Sequence, residues 1–141
     1  MKSALLISLL LLCGSVAQAK PIESTQAVRA ILGEAEGEPY RGKVALAYAL
    51  KNRGKLTGVY GHKAISLRFG GYYRGGRKID KKVVKEAINA WEWASSHPDE
   101  DITHGADHWE NVTAFGTPKW AHGMWVTLII GNHHFFKEVG K

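Results

Sequence analysis

Cysteine is all but missing from this sequence. Its one instance, Cys13, falls in an apolar N-terminal stretch. The remainder of the chain therefore has no internal disulfide, no cysteine-based metal site and no thiol nucleophile. Acidic residues are the minority charge, 13 against 19 lysines and arginines, which leaves a net charge of +6. Beyond the first nineteen residues no apolar run approaches the ~20 residues that a membrane-spanning helix needs. An H-E-x-x-H zinc motif is absent, and no serine lies in a G-x-S-x-G elbow. No internal repeat or low-complexity segment is present.

What the sequence does have begins with a leader. Lys2 gives a positive start, Ala4 to Leu12 is apolar, and Ala17-Gln18-Ala19 is a small-residue cleavage signal. Leu12 precedes Cys13 where a lipid anchor would want a small residue. Residues 1–19 are expected to be a signal peptide, and 20–141 a single exported domain in the periplasm or outside the cell. About 120 residues suffice for one modest core. Its basic charge suits polyanionic surroundings, and export favours cell-wall polymers over nucleic acid. No nucleic-acid partner and no stable membrane insertion are expected; oligomeric state is left open.

Apolar spacing predicts three helices. The first should start at a Ser24 or Thr25 cap and bury Val28, Ile31, Leu32 and Ala35. Gly37 and Pro39 break it, with Pro39 suited to the first position of the next helix. That second helix, from about Tyr40 to Arg53, is apolar over much of its girth and ends at Gly54. Residues 54–76 hold seven glycines with Tyr60, Phe69, Tyr72 and Tyr73. They read as a long irregular segment with one helical turn near His62 to Leu67. Its aromatics suit either stacking on sugar rings or a small satellite core. Asp80 caps the third helix, whose stripe runs through Val83, Val84, Ala87, Ile88, Trp91 and Ala94. Farther on, Ala106 to Trp109 reads as a short strand. Met124 to Ile130 and His133 to Phe136 read as a hairpin around Gly131-Asn132.

Chemistry concentrates in two places. At the joint of the first two helices lie Glu34, Glu36 and Glu38. Glu34 follows Ile31-Leu32 on the same helix and is the best placed for the partial burial that keeps a carboxyl protonated for acid catalysis. Glu38 lies in the turn and is the reserve. The second place is the histidine-rich C-terminal third: His104, His108, His122, His133 and His134, with Asp107 and Glu110. His104 and His108 are four apart, but Gly105 follows the first and the stretch does not read as a helix. Neighbours His133 and His134 would point to opposite faces of a strand. No metal and no cofactor are expected. A zinc-dependent wall amidase or peptidase using these histidines is the alternative enzyme. A wall-binding module without catalysis is the alternative outside enzymes.

Two runs carry a family resemblance. Gly33-Glu-Ala-Glu-Gly-Glu-Pro-Tyr-Arg-Gly-Lys-Val-Ala-Leu-Ala-Tyr-Ala-Leu-Lys-Asn-Arg53 resembles the opening of the SleB-type cell wall hydrolases, which reads roughly E-A-R-G-E-P-Y-E-G-Q-V-A-V followed by N-R. Ile130-Gly-Asn-His-His-Phe135 resembles the family's closing I-G-N-H-x-F. The resemblance implies a small lysozyme-like α+β domain, about three helices plus a short antiparallel C-terminal sheet. It also implies cleavage of peptidoglycan glycan strands between N-acetylmuramic acid and N-acetylglucosamine, as a lytic transglycosylase with one catalytic carboxylate. Glu34 matches the first glutamate of the motif and is the expected acid and base. Asn132 and His133 match the closing motif. His108, Trp109, Asn111, Asn132, His133, Tyr72 and Tyr73 are the expected sugar or peptide contacts. This chain departs from the family at Glu36, where the motif has arginine. It departs also at Asp107-His-Trp-Glu-Asn111, where family members carry a tyrosine-rich stretch.

Overall fold

The computed structural model describes residues 20–140. The expected signal peptide, with Cys13, lies outside the described residues. Within them four helices and two small antiparallel sheets build an α+β domain.

Helices α1 (Ser24–Ala35) and α2 (Tyr40–Arg53) form the centre. On α1 the buried side is Ala27, Val28, Ala30, Ile31, Leu32 and Ala35, a face at helical spacing that includes the four apolar positions expected. Its start differs from expectation. Ser24 is the first helical residue, Glu23 occupies the cap position, and no side chain caps the end. The backbone carbonyl of Glu23 accepts from Ala27 N–H instead (2.9 Å). Ile22 packs on the core just before it, so an apolar anchor sets the chain's entry. Pro39 likewise stands one residue earlier than expected, as the cap of α2. Every residue of α2 from Gly42 to Leu50 is buried, and Gly54 ends the helix in the left-handed conformation (φ 69°).

Helix α3 (Lys81–Ser96) closes the core from one side. Asp80 caps it by accepting from Lys82 N–H (2.8 Å). Trp91 is buried while Trp93 is exposed, the division that their spacing predicts. Buried Lys43, on α2, sits between the helices. Its ammonium donates to the Glu38 carbonyl and pairs with Glu86 of α3 (3.2 Å).

Residues 54–76 are not irregular. A 3-10 turn at Gly61–Ala64 leads into strands β1 (Ile65–Arg68) and β2 (Gly71–Arg74), followed by a short β3 (Arg77–Lys78). These make a sheet of order β1-β2-β3. Arg68 faces Gly71 across a two-residue turn, in which Phe69 (φ 48°) and Gly70 (φ 68°) both have positive φ. Such turns match the twist of a hairpin. The helical turn expected near His62 to Leu67 stops at Ala64, because Ile65 buries its side chain as the first strand residue.

The second sheet has order β4-β6-β5, from β4 (His108–Asn111), β5 (Met124–Ile130) and β6 (His133–Glu138). The hairpin turns at Gly131-Asn132 as expected, and the returning strand runs two residues beyond Phe136. The short earlier strand lies two residues later than Ala106 to Trp109. The chain only begins to pair once Asp107 N–H reaches the Phe136 carbonyl (3.2 Å). A one-turn helix, α4 (Val112–Phe115), follows β4 and is capped by Asn111.

Candidate active site

Glu34 lies in the last turn of α1. Its Oε1 accepts from the N–H of Gly61 (2.8 Å), which fixes the carboxylate against the 3-10 turn. Two absent side chains make this contact possible. A Cβ on Gly33 would come within 2.0 Å of the Gly61 carbonyl oxygen, and a Cβ on Gly61 within 2.6 Å of Glu34 Oε1. The second oxygen, Oε2, has no hydrogen-bond partner among the described residues and is not sealed from solvent.

Two cavities meet at this carboxylate, and among the described residues Glu34 is the one that lines both. The larger, about 690 Å³, has a wall of Tyr60, Trp109, Phe115 and Trp120, with Arg53, His108 and Glu110 among them. The smaller, about 480 Å³, is polar and takes in Glu36, Glu38, Arg74, Asn111, Asn132 and His133. One lobe offers flat apolar faces and the other hydrogen-bonding groups. A sugar has an apolar face and a rim of hydroxyls, so both kinds of surface suit a glycan strand.

The expected site residues divide accordingly. His108 and Trp109 line the aromatic lobe; Asn111, Asn132 and His133 line the polar one. Tyr72 and Tyr73 line neither. Tyr72 packs on the core, where burial raises its phenol above the ordinary value. Tyr73 lies under the Arg68 guanidinium at 4.5 Å. Tyr72 thus serves packing on the main core, and neither tyrosine stands at the groove. Trp120 and Phe115, absent from the sequence-based set, stand at the groove. Their signal was available: both are large aromatics in a stretch punctuated by Gly116 and Pro118, where a core residue is unexpected.

The three glutamates of the joint have separate fates. Glu38 is only 9% exposed. Asn132 N–H approaches both of its oxygens (3.3 and 3.4 Å) and His133 Nδ1 lies 3.1 Å from Oε1. Gly131 leaves room for it, since a Cβ there would fall 2.0 Å from Oε2. Glu38 thus pins the β5–β6 hairpin to the helix joint. Glu36 receives Arg77 through two hydrogen bonds (2.7 and 3.1 Å) and Arg74 through one (2.8 Å). Arg74 also donates to the carbonyls of Leu32 and Gly33 (3.1 and 3.2 Å), capping the end of α1. The charge reversed relative to the motif arginine is therefore answered by two cations from the neighbouring sheet.

Hydrogen bonds from Arg77 hold the Glu36 carboxyl below its ordinary 4.5; partial burial opposes this and Arg74 adds to it. A depressed folded-state value contributes stability that is present above the unfolded value and lost as pH falls through the folded one. Glu36→Gln should therefore lower the melting temperature at pH 7. The gap from wild type should shrink as pH drops below 4.5. Thermal denaturation across pH 3–7 measures this, and a gap constant over that range would remove Glu36 from the clamp.

The histidines do not converge. His108 Nδ1 lies 2.7 Å from Asp107, His133 is held at Glu38, and His104 is an exposed residue with positive φ (52°). Among the described residues no group of three or more His, Cys, Asp or Glu side chains is arranged to hold a metal ion.

The architecture has solved counterparts. The catalytic domain of the Bacillus cereus SleB protein superposes with a TM-score of 0.51 at 23% identity, covering 85% of this chain and 94% of that one. The catalytic domain of the germination-specific lytic transglycosylase SleB from Bacillus anthracis gives 0.51 at 24% identity, over 81% and 93%. The chain has the SleB catalytic-domain fold. No protein-family model and no curated protein matches the sequence. The likeness to SleB runs over most of both chains, which agrees with a resemblance carried by two motifs at opposite ends of the domain.

Proposed function

We propose that this protein is an exported peptidoglycan-cleaving enzyme, a lytic transglycosylase in which Glu34 is the acid and the base. One observation carries the reading: among the described residues Glu34 alone lines both lobes of the groove, with one oxygen anchored and the other free. The SleB fold and the B. anthracis neighbour's lytic activity support it.

A glycan strand lies across both lobes with the scissile bond at Glu34. Protonated Oε2 gives its proton to the bridging oxygen O4 of N-acetylglucosamine as the bond to C1 of N-acetylmuramic acid breaks. The C6 hydroxyl of that same muramic acid closes on C1 and returns its proton to Glu34. The products are a 1,6-anhydro end and a free 4-hydroxyl, and the carboxyl is regenerated. This route needs a single free carboxylate, whereas hydrolysis needs a second one at a set separation.

One observation favours hydrolysis as the second reading. Glu110 lines the same aromatic lobe, and among the described residues only its Oε1 is engaged, by Asn111 N–H (3.0 Å). Digestion of purified peptidoglycan with mass spectrometry of the muropeptides separates the readings. Anhydro-muramic ends are expected. Reducing ends would instead mean hydrolysis, with loss of activity in Glu110→Gln the test of a second carboxylate there, and freed stem peptides would overturn cleavage of the glycan. Residues 1–19 direct the protein to that substrate as a removable signal peptide, which N-terminal sequencing of exported protein checks.

A further inference from the structure

His133 is the most enclosed histidine of the groove, at 5% exposure, and it lines the polar lobe. Its Nδ1 faces Glu38 Oε1 at 3.1 Å. With the carboxylate oxygen as acceptor and Nδ1 as donor, this contact selects the Nδ1–H tautomer. The other ring nitrogen is then what matters, since the bond made by one nitrogen sets the state of the other. Nε2 has no hydrogen-bond partner among the described residues, and it is not sealed from solvent. In the Nδ1–H tautomer the lone pair lies on Nε2, on a ring that lines the polar lobe.

We propose that His133 Nε2 is a hydrogen-bond acceptor for the bound glycan, taking a hydroxyl or amide N–H of the sugar seated in the polar lobe. Glu38 is the positioning residue that holds the ring in this tautomer. The hairpin supplies the geometry. Asn132 N–H and His133 Nδ1 both meet the same carboxylate, so the turn and the imidazole are set together from the α1–α2 joint. A brace alone would need Nδ1 and nothing from Nε2. The proposal rests on the glycan-cleaving reading of the groove, and its test is built to stand apart from cleavage.

Asparagine and glutamine divide the two nitrogens of histidine between them. His133→Asn keeps a donor near Nδ1 and removes the acceptor at Nε2. His133→Gln places an amide near Nε2 and removes the contact to Glu38. Binding to insoluble peptidoglycan is measured in a Glu34→Gln background, so that no cleavage is required. His133→Asn should weaken binding about tenfold, as expected for one lost hydrogen bond that leaves a substrate donor unpaired, with the melting temperature held. His133→Gln should lower the melting temperature and recover part of the binding. Two-bond ¹H–¹⁵N correlation spectra of the free protein should show His133 as the Nδ1–H tautomer, shifting to a mixture in Glu38→Gln. Unchanged binding by His133→Asn, or a proton on Nε2 in the wild type, would overturn the proposal. If His133→Asn loses binding while the wild type cleaves no glycan, the acceptor role stands and the catalytic reading falls.

Discussion

Glutamine in place of Glu34 should leave the protein folded and cut muropeptide release by about 10²–10⁴-fold, the usual contribution of a positioned proton donor. The substitution is close to isosteric. Its carbonyl oxygen can still accept from Gly61 N–H, so the anchor at 2.8 Å survives. What disappears is a transferable proton at the free oxygen. The loss should fall on the chemical step, leaving binding to peptidoglycan near the wild-type value. Glu38→Gln is the necessary companion. One carboxylate there serves both Asn132 N–H and His133 Nδ1, and glutamine offers a single acceptor oxygen for the two. That variant should melt earlier by an amount typical of a buried polar group left unpaired, about 1–3 kcal/mol. Near-complete inactivation of a well-folded Glu38→Gln with an active Glu34→Gln would transfer the catalytic role to Glu38.

Three adjacent glutamates look alike in sequence, and the structure separates them by what lies across from each. Glu36 meets two arginines from β2 and β3, Glu38 meets the far hairpin, and Glu34 meets a single backbone N–H. Those partners are 27 to 95 positions away, so no local pattern could have assigned them. The helices were legible because their signals are local: apolar spacing on α1, Gly54 at the end of α2, Asp80 at the start of α3. The β5–β6 hairpin was legible for the same reason, with Gly131 between two β-rich runs.

The β1–β2 hairpin was not. Its turn places Phe69 in the left-handed region, a site where a bulky residue is unexpected. Ile65 and Tyr72 anchor this hairpin on the core, through contacts that no local pattern reports. The histidines lie close in sequence without sharing a site. His108 on β4 and His133 on β6 line different lobes of the groove, a separation set by the pairing of the two strands rather than by any local pattern.

Least legible of all was the seat of Glu34, because it is made of missing side chains, and alanine should expose it at two strengths. In most helices Gly→Ala gains about 1 kcal/mol. At Gly33 the new Cβ would meet the backbone of Gly61, with its carbonyl oxygen at 2.0 Å and its Cα at 2.7 Å. Backbone cannot rotate away, so the 3-10 turn must move off α1. Overpacking of this kind costs about 1–3 kcal/mol, and Gly33→Ala should lower the melting temperature by ~5 °C or more. At Gly61 the Cβ would meet only the Glu34 side chain, at 2.6 to 2.8 Å. That chain can swing, so stability should hold while the carboxylate leaves its place. A displacement near 1 Å at the reacting group can cost about 10²-fold in rate, and Gly61→Ala should show that loss in peptidoglycan digestion. Gly76→Ala is the control, because its Cβ would meet nothing within 4 Å and it lines neither lobe, and it should change neither quantity. Full activity in Gly61→Ala would mean that the position of Glu34 against this turn is irrelevant to cleavage. An early melt confined to Gly33→Ala, with the rate loss confined to Gly61→Ala, would separate what the close approach does for the fold from what it does for the carboxylate.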